Sequence, residues 1–445
     1  MPPTPATPAA RASPVRWVIL VLLFAASFVA YVLRTNMSVA GDALMRELAI
    51  SPVQFGTILA AFAWGYALFQ IAGGVWGDRL GARRSLAAIS VAWGVCTLLV
   101  GLVPGTSSAS VATIVGALIV LRFLMGVVQA PLYPVSAGAI AQWFPVSGWA
   151  LPNGLLSSGL TLGSAATGPI IAWLILVAGW RLSFVAIAPL AFGTAAVWWW
   201  YARDRPSEHG SVNALEAALI LADRPPVEGP PDPAAWRLVL ADRQVLLLTA
   251  SYFCSNYVFY FFFNWLFVYL VTVRGLASLE GGMYAIVPWM AGAIGGTAGG
   301  AVCDRLARRH GARRGYHAMP VFGLLGAAIF MVAAAAARDA STAVVLLALC
   351  LGFQQLTEGA FWGATTAVGG RYAATACGVL NTGGNIVGGV VALVVPLVAQ
   401  MFGWATAVAS GAGFAVLGAA LWLLIHPDEV VAGRGPAPRP APPGP

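Results

Sequence analysis

Only 9% of the 445 residues are charged, and those few are gathered into a handful of short segments. Between them run about a dozen apolar stretches, each close to the ~20 residues a helix needs to cross a bilayer. A water-soluble fold requires a polar surface, and ordinary globular chains carry about 25% charged residues. With 59% hydrophobic residues, this chain cannot cover itself in water. Hydrocarbon must be its solvent, where only helices and closed barrels satisfy the backbone. Runs of this length select helices, so the expected class is an all-α polytopic membrane protein in a lipid bilayer.

Six runs lie near 16–40, 54–76, 85–103, 112–137, 153–177 and 182–201, and six more near 244–273, 281–302, 318–336, 341–368, 375–400 and 402–425. They predict about twelve transmembrane helices in two six-helix bundles, 16–201 and 244–425. The polar, Pro-rich segment 202–243 reads as a cytoplasmic linker. Residues 1–15 and 426–445, rich in Pro and Ala, read as disordered tails. The first run is longer than a signal-peptide core and lacks a convincing cleavage site, so it is taken as the first span.

All 24 basic residues are arginines, and the formal charge is +8. Short Arg-rich loops stay on the cytoplasmic side. Arg79, Arg83 and Arg84 follow the second run, Arg203, Arg205, Arg224, Arg237 and Arg243 fall in the linker, and Arg305, Arg308, Arg309, Arg313 and Arg314 follow the eighth. Termini, linker and both loops are therefore expected inside. No basic stripe interleaved with aromatics tracks a nucleic-acid backbone. Five dispersed cysteines and four scattered histidines show no metal-ligand spacing, so neither metal nor cofactor is expected. No GxSxG, Walker loop, HExxH or dinucleotide fingerprint stands in a suitable context, and an enzyme is not expected.

The sharpest internal signal is a repeat. Gly73-Gly74-Val75-Trp76-Gly77-Asp78-Arg79-Leu80-Gly81-Ala82-Arg83-Arg84 returns as Gly299-Gly300-Ala301-Val302-Cys303-Asp304-Arg305-Leu306-Ala307-Arg308-Arg309 at the matching place in the second half. Parallel six-helix repeats about an axis along the membrane normal describe the halves of the major facilitator superfamily. The chain resembles that superfamily over nearly its whole length. Within it, Tyr31-Val32-Leu33-Arg34-Thr35-Asn36-Met37-Ser38-Val39-Ala40 resembles the YxDRxNxSxA pattern of the anion:cation symporter family, whose members include sugar-acid carriers. Gly65-Tyr66-Ala67-Leu68-Phe69-Gln70-Ile71, Arg122-Phe123-Leu124-Met125-Gly126, Tyr252-Phe253-Cys254-Ser255-Asn256-Tyr257 and Leu380-Asn381-Thr382-Gly383-Gly384-Asn385 match in order. The resemblance implies a secondary transporter in the bacterial inner membrane, expected to act as a monomer. It also implies a conformational gate at Gly74, Asp78, Arg79 and Asp304.

Two departures bear on mechanism. Leu33 stands where the family usually has Asp, and Gln129 where it usually has Glu. Those acids serve proton coupling and substrate binding in the family, so proton symport does not carry over directly. The loop Trp143-Phe144-Pro145-Val146-Ser147-Gly148 lacks the charged pair expected after WFP, which points to a differently built gate.

Arg34 and Arg122 fall deep in their runs, where an arginine costs about 2.5–3.5 kcal/mol on insertion scales and by default marks a functional site. Their paired planar donors suit a carboxylate or phosphate, and substrate binding is preferred to charges satisfied by helix carbonyls. Arg122, Gly126, Gln129 and Tyr133 share one helical stripe, Asn256, Tyr260 and Asn264 another, and Asn381 and Asn385 a third. Of these, Arg122, Gln129, Asn256, Tyr260, Asn381 and Asn385, together with Arg34 and Tyr31, form the candidate substrate site, although Asn256 and Asn381 serve equally as interhelical glue. Glu358 is the remaining embedded carboxylate, on a face with Gln355 and Trp362. Desolvation disfavours a carboxylate's charged form, so Glu358 is the candidate proton-coupling residue; the competing role is a fixed ion pair with Arg34 or Arg122.

The expected function is alternating-access transport of a small organic anion, a carboxylate and by resemblance a sugar acid, coupled to protons or working by exchange. A multidrug or cation exporter of the same fold and a non-transporting membrane anion sensor are the rivals.

Overall fold

The computed structural model describes residues 11–222, 236–276 and 278–431. The remaining parts of the expected tails and linker lie outside the described residues. The architecture is all-helical, as a chain solvated by hydrocarbon must be. Ten described stretches are long and apolar enough to cross a bilayer; two of them, 146–201 and 340–402, span 56 and 63 residues. Each of these is over twice what one crossing needs, which brings the crossings to twelve.

In the first half, α1 is Val15–Leu48, α2 Pro52–Leu80 and α3 Ala82–Gly101. The fourth span is two helices, α4 Val111–Gln129 and α5 Leu132–Trp143. Pro131 stands at their junction, where a missing N–H and a ring clash break a helix. The fifth and sixth runs join as α6, Ala150–Tyr201, bent at Gly179 (φ +77°). The linker holds α7, Ala214–Leu221, and α8, Trp236–Ala241.

The second half repeats the plan. Its first span is α9, Arg243–Asn264, continued by α10, Leu266–Val268. Then come α11 Ser278–His310 and α12 Ala312–Ala336. Its fourth span is again split, into α13 Ala340–Gln355 and α14 Glu358–Gly369, followed by α15 Ala373–Phe402 and α16 Trp404–Leu421. Gly81 (φ +81°) turns α2 into α3, and Gly311 (φ +86°) turns α11 into α12. Glycine alone takes that left-handed conformation without steric cost, so the halves share their corners as well as their helices.

Burial follows the solvent. Leu176 is 85% exposed and Leu423 74%, on faces that meet lipid, whereas Arg122, Glu358 and Asn381 are almost wholly enclosed. Small residues let backbones meet inside each half: a Cβ at Gly159 or Gly163 would stand 2.8 or 2.5 Å from the carbonyl oxygens of Phe24 and Phe28 on α1. Such contacts replace the hydrophobic drive that lipid removes.

Residues 11–14, in the segment expected as a tail, are tied to the linker. Glu216 of α7 accepts from the Ser13 hydroxyl (2.5 Å) and from the Val15 and Arg16 amides (3.3 and 3.0 Å), capping α1. In the second half, Gln244 donates to Glu429 (3.0 Å) and accepts from the His426 amide (2.9 Å).

Candidate functional site

Two carboxylates bind the halves together at the arginine-rich end. Asp78, near the end of α2, accepts from the Ala374 and Thr375 amides (3.2 and 2.9 Å) and from the Thr375 hydroxyl (2.6 Å). These are first-turn donors of α15, which have no partner within their helix. Asp304 on α11 does the same to α6, accepting from the Ala150 and Leu151 amides at 2.9 Å each. A negative charge at a helix N-terminus is favoured by the helix dipole. The paired glycines allow this approach: a Cβ on Gly74 would lie 2.4 Å from the Ala374 oxygen, and one on Gly300 2.6 Å from the Ala150 oxygen. Arg79, beside Asp78, is exposed.

Deeper between the halves lies a cavity of about 40 Å³, lined by Tyr31, Tyr66, Tyr133 and Asn153 from one half and by Tyr252, Asn256, Tyr260, Gln355, Glu358, Trp362, Asn381 and Asn385 from the other. A volume near 40 Å³ holds two or three waters, and polar side chains from both halves surround it.

Glu358 forms part of the wall. It accepts from the Tyr252 hydroxyl (3.0 Å), the Trp362 indole N–H (3.2 Å) and the Gln354 amide (3.3 Å). All three are neutral donors, and among the described residues Glu358 has no ion pair with either arginine. The amides form a chain: Tyr260 donates to Asn385 (2.6 Å), Asn385 to the Asn381 side chain (2.9 Å), and Asn381 to the Tyr66 hydroxyl (3.5 Å) across the interface. Asn256 instead donates to the Tyr252 carbonyl at 3.0 Å.

Arg34 sits in an aromatic box. Its guanidinium carbon is 5.1 Å from the Tyr31 ring centroid, 4.9 Å from Phe62, 5.0 Å from Tyr66 and 5.6 Å from Phe263 of the other half. Its Nη1 donates to the Tyr31 hydroxyl at 3.0 Å. Arg34 therefore touches two residues of the cavity wall. Arg122 does not reach that wall; it lies against Phe62, and Gln129 is turned toward the Ala30 carbonyl (3.4 Å). Thus Tyr31, Asn256, Tyr260, Asn381, Asn385 and Glu358 converge on one cavity with Arg34 at its edge, while Arg122 and Gln129 stand apart.

Sequence reasoning passed over Tyr66, Tyr252 and Phe62. Tyr252 was within reach, since it continues the Asn256–Tyr260 stripe back by one turn. Phe62 carried no signal, because an apolar side chain in an apolar run is indistinguishable from lipid contact.

The chain matches the family described as "Major Facilitator Superfamily" over residues 23–387. A probable sulfoacetate transporter of Cupriavidus necator is 32% identical over 375 residues, covering 84% of this chain and 85% of the relative. A hexuronate transporter of Bacillus subtilis is 31% identical over 348 residues, 77% of this chain and 78% of that one. A solved proton:xylose symporter of the superfamily superposes with a TM-score of 0.75 at 13% identity, covering 94% of this chain and 97% of that structure.

Proposed function

The chain belongs to the major facilitator superfamily, and from that premise we propose that it is a secondary transporter carrying a small organic anion by alternating access. Bundle 16–201 rocks against bundle 244–425 about the cavity, with 202–243 as the joining linker. The arginine-rich end is the cytoplasmic one, and the membrane is a bacterial inner membrane. Arg34 makes the first contact with the anion, and the hydroxyls and amides of Tyr31, Tyr260, Asn256, Asn381 and Asn385 hold the rest of it. The observation that carries this reading is a membrane-embedded guanidinium at the cavity edge whose neighbours are rings and a hydroxyl. Such a cation keeps its charge, and among the described residues no carboxylate pairs with it. Relatives named for sulfoacetate and hexuronate support the anion class.

Glu358 is the coupling residue in this proposal. It is held by three neutral donors, so taking up a proton breaks no ion pair. Asp78 and Asp304 hold the cytoplasmic end shut. Substrate entry from the other face must then widen the cavity before the latches release.

The test is thermal stabilisation of the purified protein by a panel of organic anions and cations, repeated with Arg34→Ala. Stabilisation by particular carboxylates or sulfonates, lost in the variant, supports the reading. Stabilisation by lipophilic cations that survives Arg34→Ala and vanishes in Glu358→Gln overturns it in favour of a cation exporter, for which the Glu358 carboxylate on the wall is the supporting observation. Counterflow in proteoliposomes separates a carrier from a sensor, which binds without moving its ligand.

A further inference from the structure

One phenyl ring lies against both embedded guanidinium groups. The ring centroid of Phe62 on α2 is 4.9 Å from the Arg34 guanidinium carbon and 4.7 Å from that of Arg122. Arg122 is 4% exposed, its Nε has no partner, and its Nη1 reaches the Met125 sulfur at 3.4 Å. A guanidinium in the bilayer interior is costly unless it is paired, and a cation–π contact offsets only part of that cost. Arg34 has three further rings and the Tyr31 hydroxyl, whereas Arg122 rests on Phe62 and the Met125 sulfur. Among the described residues Arg122 therefore keeps an unpaired Nε donor beside the ring.

The backbone at this level has little room to shift. A Cβ on Gly126 would stand 2.2 Å from the Phe62 carbonyl oxygen, and one on Gly65 2.2 Å from that of Phe123, so α2 and α4 meet backbone to backbone. Phe62 itself is 3% exposed and stacked on Tyr66 at 5.7 Å, so its ring turns only when the packing around it opens.

The geometry points to Phe62 as a swinging partition between two acid subsites, Arg34 in front and Arg122 behind, and to a transported anion with two acidic groups close together. This rests on the reading of Arg34 as the first anion contact. With the ring turned aside, the two guanidinium groups face one space, and each offers paired donors to one carboxylate or sulfonate. Their separation cannot exceed the sum of the two distances to the ring, which keeps the acidic groups near each other. A single acid group satisfies Arg34 and leaves Arg122 as it stands.

The experiment measures Kd on the purified full chain for three matched probe pairs: sulfoacetate against isethionate, malonate against its monomethyl ester, and glucarate against gluconate. In at least one pair the two-acid member should bind at least tenfold tighter. Arg122→Gln should weaken that member at least tenfold more than its one-acid partner. Phe62→Leu, which keeps both arginines behind a smaller apolar side chain, should widen the preference. A ratio near one in every wild-type pair overturns the proposal, as does equal weakening of both members by Arg122→Gln. If Arg122→Gln does not fold, an unchanged ratio in Phe62→Leu overturns the partition. Arg34→Gln with every affinity unaltered is a different failure, that of the anion site itself.

Discussion

The two halves are near copies at their latches and near opposites at their cavity walls. In both loop motifs the first glycine packs on the break in its own half's fourth span: a Cβ on Gly73 would meet Pro131 at 2.5 Å, and one on Gly299 the Leu356 oxygen at 2.1 Å. The second glycine packs on the other half's helix, and the aspartate five residues after the first glycine caps that helix. Among the described residues at the cavity, the first half supplies the Arg34 guanidinium, three tyrosines and Asn153 but no carboxylate, and the second supplies Glu358, four amides and two tyrosines but no arginine. Closing a gap is a mechanical task that two copies perform equally. Binding an anion and handing on a proton are different tasks, and the halves have diverged where those tasks are done.

The largest expected effect tests that division directly. Arg34→Ala should weaken every accepted anion by about 1.5–3 kcal/mol, the range for hydrogen bonds to charged groups; titration of the purified protein reads this as a roughly ten- to hundredfold rise in Kd. Glu358→Gln should leave binding and counterflow in place while abolishing the pH dependence of uptake, measured in proteoliposomes with an imposed gradient. If both variants lose binding alike, the two walls share one task and the comparison breaks. If Glu358→Gln leaves the pH dependence intact, Glu358 is not the coupling residue.

The likeness of the latches is tested by Gly74→Ala and Gly300→Ala. Each adds a methyl group within 2.6 Å of a backbone oxygen, and overpacking of this kind costs about 1–3 kcal/mol. Both variants should open the arginine-rich end and slow turnover by similar factors. A large effect from one and none from the other means that a single latch carries closure. Asp78→Asn and Asp304→Asn come next, since each removes a charge from a helix N-terminus, worth at most about 2 kcal/mol in a partly buried setting. Initial uptake rates should fall more than affinity does.

What the sequence disclosed follows the same division. Twelve spans, two halves and the paired motif were legible because lipid forces an apolar run for every crossing and duplication repeats the motif. Arg34, Glu358 and the asparagines stood out because polar residues in apolar runs are conspicuous. The sequence could not show that Phe62 would lie against both Arg34 and Arg122, or that Asp78 would cap α15 almost 300 residues away. Helical spacing fixes which residues share a face, whereas the identity of the facing helix is set by packing. Arg122, Gln129 and Tyr133 share a stripe of the fourth span, yet the break at Pro131 leaves only Tyr133 on the cavity.

The smallest effect is the most discriminating, because it isolates one hydroxyl that the first latch uses. The hydroxyl of Thr375 donates to Asp78 at 2.6 Å, whereas Asp304 receives two amides and no hydroxyl. Thr375→Val keeps the shape of the side chain and both amides, and so leaves the first latch with two amide donors, as the second has. The loss of one hydrogen bond at a partly exposed site is worth about 1 kcal/mol, or roughly fivefold in an equilibrium. Spin labels on the two arginine-rich loops should report that shift as a larger open fraction, with ligand affinity unchanged. An open fraction that does not move would mean that the two amides already saturate Asp78 and that the halves are matched at this end. A shift as large as that of Asp78→Asn would instead make the hydroxyl the main part of the first latch, and the likeness of the two motifs would then conceal an asymmetric gate.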